Sequence, residues 1–177
     1  EAAQAAGVAE PIVVDLCTGS GAIALAVADE LPTAQVYAVE VSDLAHAWAR
    51  RNLETLALAV ELRLGDATTA FDELAGLVDV VVSNPPYIAE NDPHLAQGDV
   101  RFEPATALAS GPAGLDDLRR ITAAAPGFLA AGGWLMMEHG YDQAAAVRAL
   151  LVAAGFVEVA SAQDLAGIER ISFGRRP

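Results

Sequence analysis

The sequence predicts an α/β domain built on a mostly parallel seven-stranded sheet with helices on both faces. Three observations carry that expectation. Short, near-continuous apolar runs of strand length alternate along the chain with longer helix-forming stretches. Most of these runs are near-continuously apolar, as in strands covered on both sides. Several end at a polar residue, namely Asp15, Glu40, the Gly65-Asp66 pair and Asn84, so polar groups are expected to gather at one end of the sheet.

Taken in order, Ile12 to Leu16 reads as the first strand, followed by the turn Cys17-Thr18-Gly19-Ser20-Gly21 and a helix from Ala22 to Ala28 made of strong helix formers. Pro32 follows that helix, and Gln35 to Val41 reads as a second strand ending at Glu40. Ser42 is placed to cap a helix running to about Thr55. Val60 to Leu64 is a third strand closed by Gly65-Asp66, Thr69 to Leu77 a weak helical stretch, and Val78 to Ser83 a fourth strand. Ile88 to Ala113 is long, proline-bearing and without period, and loops of that length in compact domains are usually functional. Leu115 to Leu129 reads as a helix, Gly133 to Glu138 as a fifth strand, Asp142 to Ala154 as a helix and Phe156 to Ala160 as a sixth strand. The tail Glu169 to Gly174 is expected to pair as a last, edge strand. The whole chain, 1–177, is expected to be one domain.

Composition narrows the function classes. Hydrophobic residues make up 54% of the 177, but no apolar run reaches the roughly 18 residues that span a bilayer. The first residues lack a basic start and a long apolar core, so they do not read as a secretory signal. One cysteine, Cys17, forms no internal disulfide, which fits a cytoplasmic protein. Acidic residues outnumber basic ones 24 to 10, every basic residue is arginine, and the formal charge is −14. That charge opposes a phosphate backbone and argues against nucleic acid as a direct substrate. His46, His94 and His139 have no metal-like spacing with one another or with Cys17, so no metal is expected. Trp48 and Trp134 read as core or half-buried aromatics and Arg119-Arg120 as a solvated helix face. A monomer is the default.

In open parallel sheets the ligand lies at the carboxyl ends of the strands, where the strand order reverses. The segment Asn84-Pro85-Pro86-Tyr87 is the most informative there. The Asn84 side-chain oxygen and the Pro85 carbonyl are both acceptors, able together to hold the two hydrogens of an –NH₂ group. The prolines stiffen the turn, and Tyr87 offers a flat face. The chemistry that fits is transfer of a group to an amide or amine nitrogen. The plain alternative is a turn that ends a strand.

The glycine turn has two readings. Gly19-x-Gly21-x-x-Ala24, with Glu40 about 20 residues on, satisfies a dinucleotide fingerprint. Asp15 stands just before it, where a carboxylate repels a pyrophosphate and welcomes an ammonium. Asp15 could equally serve to cap the loop.

Asp15-Leu16-Cys17-Thr18-Gly19-Ser20-Gly21, Glu40, Gly65-Asp66 and Ser83-Asn84-Pro85-Pro86-Tyr87-Ile88 together resemble a Rossmann-like class I S-adenosylmethionine-dependent methyltransferase. Phe102-Glu103-Pro104, Ala107-Leu108, Gly114-Leu115, Gly132-Gly133, Glu138-His139-Gly140, Gln143 and Asp164-Leu165-Ala166-Gly167 with Arg170 extend the resemblance to the HemK/PrmC group. These are protein-(glutamine-N5) methyltransferases acting on peptide chain release factors. The resemblance implies S-adenosyl-L-methionine as cofactor and the release factor as partner. It implies that Asp15, Cys17, Thr18, Gly19, Ser20 and Gly21 hold the methionine end, Glu40 the ribose, and Asp66 and Ala67 the adenine, with Asn84 bordering the cofactor. It implies that Asn84, Pro85, Pro86 and Tyr87 bind the substrate amide, with Asn84, Pro85 and Tyr87 catalytic. Cys17 stands where the family often has glycine, and Ala67 where some members have an aromatic. Family members also carry an N-terminal helical domain, so this chain is expected to be the catalytic domain alone. Methylation of a nucleic-acid base amine, a cofactor-binding module without turnover, and a nicotinamide dehydrogenase are the alternatives.

Overall fold

The central strands form where β-branched and leucine runs are buried between two layers, and the outer strands, more polar, lie partly exposed. The computed structural model describes residues 8–96, 98 and 104–177. Among the described residues the strands are β1 Ile12–Leu16, β2 Gln35–Glu40, β3 Val60–Leu64, β4 Val78–Ser83, β5 Leu129–Glu138, β6 Val157–Gln163 and β7 Glu169–Arg175. The α-helices are α1 Ala22–Glu30, α2 Asp43–Leu56, α3 Asp116–Phe128 and α4 Ala144–Ala153. One seven-stranded sheet results, in the order β3-β2-β1-β4-β5-β7-β6. β1 to β5 pair in parallel, and β7 runs antiparallel to both β5 and β6.

Each face of the sheet carries its own core. Val14, Leu16, Val39, Val81, Leu135 and Met137 pack with Leu118 and Ile121 of α3 and Val147 and Leu151 of α4. Val36 and Ala38 pack on the other side with Ala24 and Ala28 of α1. Neighbouring residues Ala38 and Val39 thus serve different cores, which explains why these strands are apolar throughout rather than alternating.

Four expectations are corrected. The tail strand is not at the edge: β7 lies between β5 and β6, and β6 is the edge. The hairpin at Asp164–Ile168 makes β6 and β7 antiparallel neighbours, with Asp164 Oδ1 accepting from the amides of Ala166 and Ile168 at 2.8 and 3.0 Å. Burial selects which of the pair goes inside. Ser172 is fully buried, and a Cβ at Gly174 would come within 2.9 Å of Phe156 Cβ, whereas much of β6 is exposed. The weak helix at 69–77 is reduced to a 3₁₀ turn at Asp72–Leu74, because the fully buried Phe71 anchors it on one side and Gly76, at φ 73°, turns the chain out. Trp48 is 57% exposed rather than half-buried, with the Arg51 guanidinium 5.3 Å from its ring centroid. β5 also begins earlier than Gly133, since Leu129 already pairs with Val78 ahead of a bulge.

Candidate functional site

Strand register brings the polar strand ends to one level. Leu16 pairs with Val39 on one side and Ser83 on the other, while Glu40 pairs with Leu64. Ser83 Oγ donates to the Leu16 carbonyl at 2.7 Å inside the core, tying the ends of β1 and β4 together. The glycine turn after β1 and the Asn-Pro-Pro-Tyr turn after β4 therefore leave the sheet side by side. This is also where the strand order reverses, the usual ligand crevice of an open α/β sheet.

The glycine turn is lined by carboxylates. Cys17, Gly19 and Gly21 take left-handed φ values of 60°, 59° and 87°. A Cβ on Gly19 would meet no atom within 4 Å, so the turn has an open approach above it. Glu40, 8% exposed, accepts the Gly19 amide on Oε2 and the Ser42 amide on Oε1, both at 2.8 Å. Asp15, 1% exposed, accepts from Thr18 Oγ1 at 2.6 Å and from the Ala24 amide at 3.1 Å through Oδ2. Its other oxygen, Oδ1, is buried with no partner. Burial pushes the Asp15 carboxyl up to about 6, against the bonds from Thr18 and Ala24. Asp15 therefore does cap the loop, yet keeps one acceptor free.

Cys17 shows why glycine suits its place. Left-handed backbone costs an L-residue about 1–2 kcal/mol. Its thiol is pushed up to about 12 by burial first, with the charges of Glu40 and Asp117 adding to it. We expect the native chain to resist iodoacetamide at about pH 8, where an ordinary cysteine is substantially thiolate. Mass spectrometry should show alkylation only on unfolding; a native-state rate like that of free cysteine contradicts this burial.

The second turn presents an unengaged amide. Asn84 is exposed and takes no hydrogen bond from any described residue, Pro85 is buried, and Pro86 and Tyr87 are half-buried. The Tyr87 hydroxyl donates to Glu138 Oε1 at 2.9 Å and accepts from Arg170 Nη2 at 2.7 Å. Its carbonyl accepts from Gln143 Nε2 at 2.9 Å. The chain then pairs back on the long loop, Ile88 donating to Leu108 O at 2.8 Å and Ser110 to Ile88 O at 2.9 Å. The turn is thus fixed on all sides except at the Asn84 side chain.

Residues 4–108 match the family model described as "Methyltransferase small domain". The chain belongs to that family. Curated relatives of this methyltransferase small domain include the release factor glutamine methyltransferases of Xylella fastidiosa (strain 9a5c) and Burkholderia pseudomallei (strain K96243). The first is 55% identical, over 93% of this chain and 60% of the relative, and the second 54%, over 97% and 62%. The chain thus spans about three fifths of their length. Among solved structures, a methyltransferase from Pyrococcus furiosus aligns with TM-score 0.72 at 19% identity, over 94% of this chain and 75% of that one. A SAM-dependent methyltransferase from Aquifex aeolicus aligns with TM-score 0.66 at 14% identity, over 94% and 82%. The fold is the class I methyltransferase fold anticipated from the sequence.

In this methyltransferase small domain the other anticipated site residues are less free. Thr18 is buried against Asp15, and Ser20 is exposed at the turn. Asp66 Oδ1 accepts from the Thr68 amide at 2.8 Å and its hydroxyl at 2.5 Å, and Oδ2 pairs with Arg120 at 2.7 Å. Those bonds, Thr68's first, hold Asp66 down at about 2. Arg120 therefore bridges α3 to the end of β3, beyond lying on a solvated face. Ala67 packs partly buried against the larger core. His139 is fully buried between Gly140 O and Ser172 Oγ, at 2.9 and 2.8 Å. Among the described residues no group of three metal-ligating side chains gathers, and no helix is long and apolar enough to cross a membrane. Phe102 and Glu103 lie outside the described residues.

Sequence reasoning quoted Glu138, Gln143, Gly114 and Arg170 without giving them work, and the structure gathers all four around Tyr87. Val41, immediately after Glu40, was not among the anticipated site residues and is 73% exposed.

Proposed function

We propose that this domain transfers a methyl group from S-adenosyl-L-methionine to the side-chain amide nitrogen of a glutamine in a protein, the peptide chain release factor. The observation that carries the reading is the pairing of a carboxylate-lined glycine turn with an unengaged Asn84 on the neighbouring strand end. The first selects the donor. A dinucleotide pyrophosphate needs loop and helix amides free to receive its charge, but here Gly19 and Ala24 already donate to Glu40 and Asp15. A ligand bearing an ammonium and two ribose hydroxyls fits instead: Oδ1 of Asp15 has an acceptor to spare, and each Glu40 oxygen retains a lone pair beyond its amide bond. Val41 offers an apolar surface beside Glu40 for the adenine. The names of the curated relatives support the acceptor.

When bound, S-adenosyl-L-methionine supplies an electrophilic methyl on a sulfonium. The chain's part is positioning. Asn84 Oδ1 and the Pro85 carbonyl accept both hydrogens of the target carboxamide, which draws electron density to its nitrogen and aims the lone pair at the methyl carbon. With the nitrogen so held, the methyl would pass to it as the carbon–sulfur electron pair stayed on sulfur, and the nitrogen would shed one proton to solvent. Fixing two reactants in attack geometry is worth up to roughly 7–11 kcal/mol, so no strong base is required.

Calorimetry with S-adenosyl-L-methionine and with NAD tests the donor: the first is expected to bind and the second not, and the reverse would overturn the reading. The pH dependence follows from Asp15. Because its folded-state value of about 6 lies above the ordinary 3.8, its neutral form contributes stability that is complete below the ordinary value and lost as pH rises through about 6. A ligand ammonium prefers the ionised form and itself stays protonated up to about pH 8. Affinity for the cofactor should therefore rise between about pH 5 and 7, and Asp15→Asn should flatten that rise. An equal slope in the variant would contradict the assignment.

A further inference from the structure

Tyr87 is held far more firmly than a ring that merely offers a flat face requires. Its hydroxyl donates to Glu138 Oε1 and accepts from Arg170 Nη2, and Arg170 Nη2 also lies 3.5 Å from that same Oε1. The guanidinium sits 5.4 Å from the Tyr87 ring centroid, so Arg170 touches both the edge and the face. An isolated, part-exposed Arg–Glu pair contributes little to stability. A pair converging on a third group does something else, which is to fix a direction. The strand order brings the pair together: β7 lies antiparallel beside β5 with Glu138 opposite Ile171, and the Arg170 carbonyl accepts from the His139 amide at 2.9 Å.

We propose that Glu138 and Arg170 are positioning residues that act through the Tyr87 hydroxyl, setting the plane of the ring and hence the wall against which the target carboxamide lies at Asn84 and Pro85. This rests on the reading of the turn as a carboxamide clamp. Glu138 takes no proton from the substrate in this account; it accepts the phenol's hydrogen bond.

The test is a double-mutant cycle in glutamine methylation, joined to a titration that needs no turnover. Glu138→Ala is expected to lower kcat about tenfold to a hundredfold, as misplacement of a reacting partner does, with cofactor affinity within about threefold. Glu138→Gln, which retains an acceptor but cannot serve as a base, should recover most of that loss. In a Tyr87→Phe background the further loss from Glu138→Ala should shrink to about threefold or less, because the two act through one contact. Independently, burial first and then Glu138 raise the Tyr87 phenol above its ordinary value. The phenolate absorbance of Tyr87, isolated from the other two tyrosines by subtracting Tyr87→Phe, should titrate at lower pH in Glu138→Ala. An unmoved midpoint, a full Glu138→Ala loss in the Tyr87→Phe background, or Glu138→Gln as impaired as Glu138→Ala overturns the positioning role alone. Absence of glutamine methylation by the unmodified chain overturns the reading of the turn, and this role with it.

Discussion

Asn84→Ala is expected to lower the rate of glutamine methylation by about 10²–10³-fold while S-adenosyl-L-methionine binds within about tenfold of the unmodified chain. The asymmetry follows from where Asn84 stands. Its side chain is exposed at the end of β4 and holds up nothing, since no described residue bonds to it, so its removal leaves the fold in place. The glycine turn, Asp15 and Glu40, which carry the proposed cofactor contacts, are bonded to one another and not to Asn84. What disappears is the acceptor that orients the carboxamide as its nitrogen gains charge, an interaction that strengthens toward the transition state. Single-turnover rates with labelled cofactor, alongside calorimetry, separate the two quantities. Unchanged turnover, or a loss of affinity that accounts for the whole defect, contradicts the assignment.

Gly114→Ala is expected to damage the same turn from behind. Gly114 has φ 66°, and a Cβ there would stand inside contact distance of the Tyr87 carbonyl and 2.9 Å from Gln143 Nε2. A left-handed alanine costs about 1–2 kcal/mol. The carbonyl cannot rotate away as a side chain would, so the Tyr87–Gln143 bond, worth about 1 kcal/mol net, is lost as well. Together these predict a destabilisation of about 2–3 kcal/mol, read as a shift of the urea midpoint. Turnover should fall at least about tenfold beyond what the unfolded fraction explains, because the displaced carbonyl belongs to the amide-binding turn. A midpoint and turnover equal to the unmodified chain's would show that the long loop packs less closely on Tyr87 than the structure has it.

Local chemistry made much of this legible. β1, β3 and β4 begin and end at the residues expected, because β1 and β4 are mostly apolar runs, β3 alternates apolar and charged residues as a half-covered strand does, and a turn follows each; Ser42 caps α2 as expected by accepting from Ala45 N at 3.4 Å. The turn at 17–21 was visible in its glycines, and Cys17, singled out as standing in a glycine's place, proves to share their left-handed backbone. The start of β5 was not visible, since the helix runs through Pro126-Gly127 straight into the strand at Leu129 and the Gly132-Gly133 pair inside the strand imitates a boundary. The place of β7 was not visible either. Strand order between β5, β7 and β6 depends on which faces bury Ser172 and Gly174 against distant partners, and no local pattern encodes that. The work done by Glu138, Gln143 and Arg170 was hidden for the same reason: their bonds to Tyr87 span 51, 56 and 83 residues.

Mapping of the transferred methyl tests the central claim most directly. The chain is incubated with a release factor, a single-stranded nucleic acid and isotopically labelled S-adenosyl-L-methionine, and the products are sequenced by mass spectrometry. The account predicts label on the side-chain nitrogen of one glutamine of the release factor and its disappearance with Asn84→Ala. Label on a base amine of the nucleic acid, or on neither macromolecule, would contradict it.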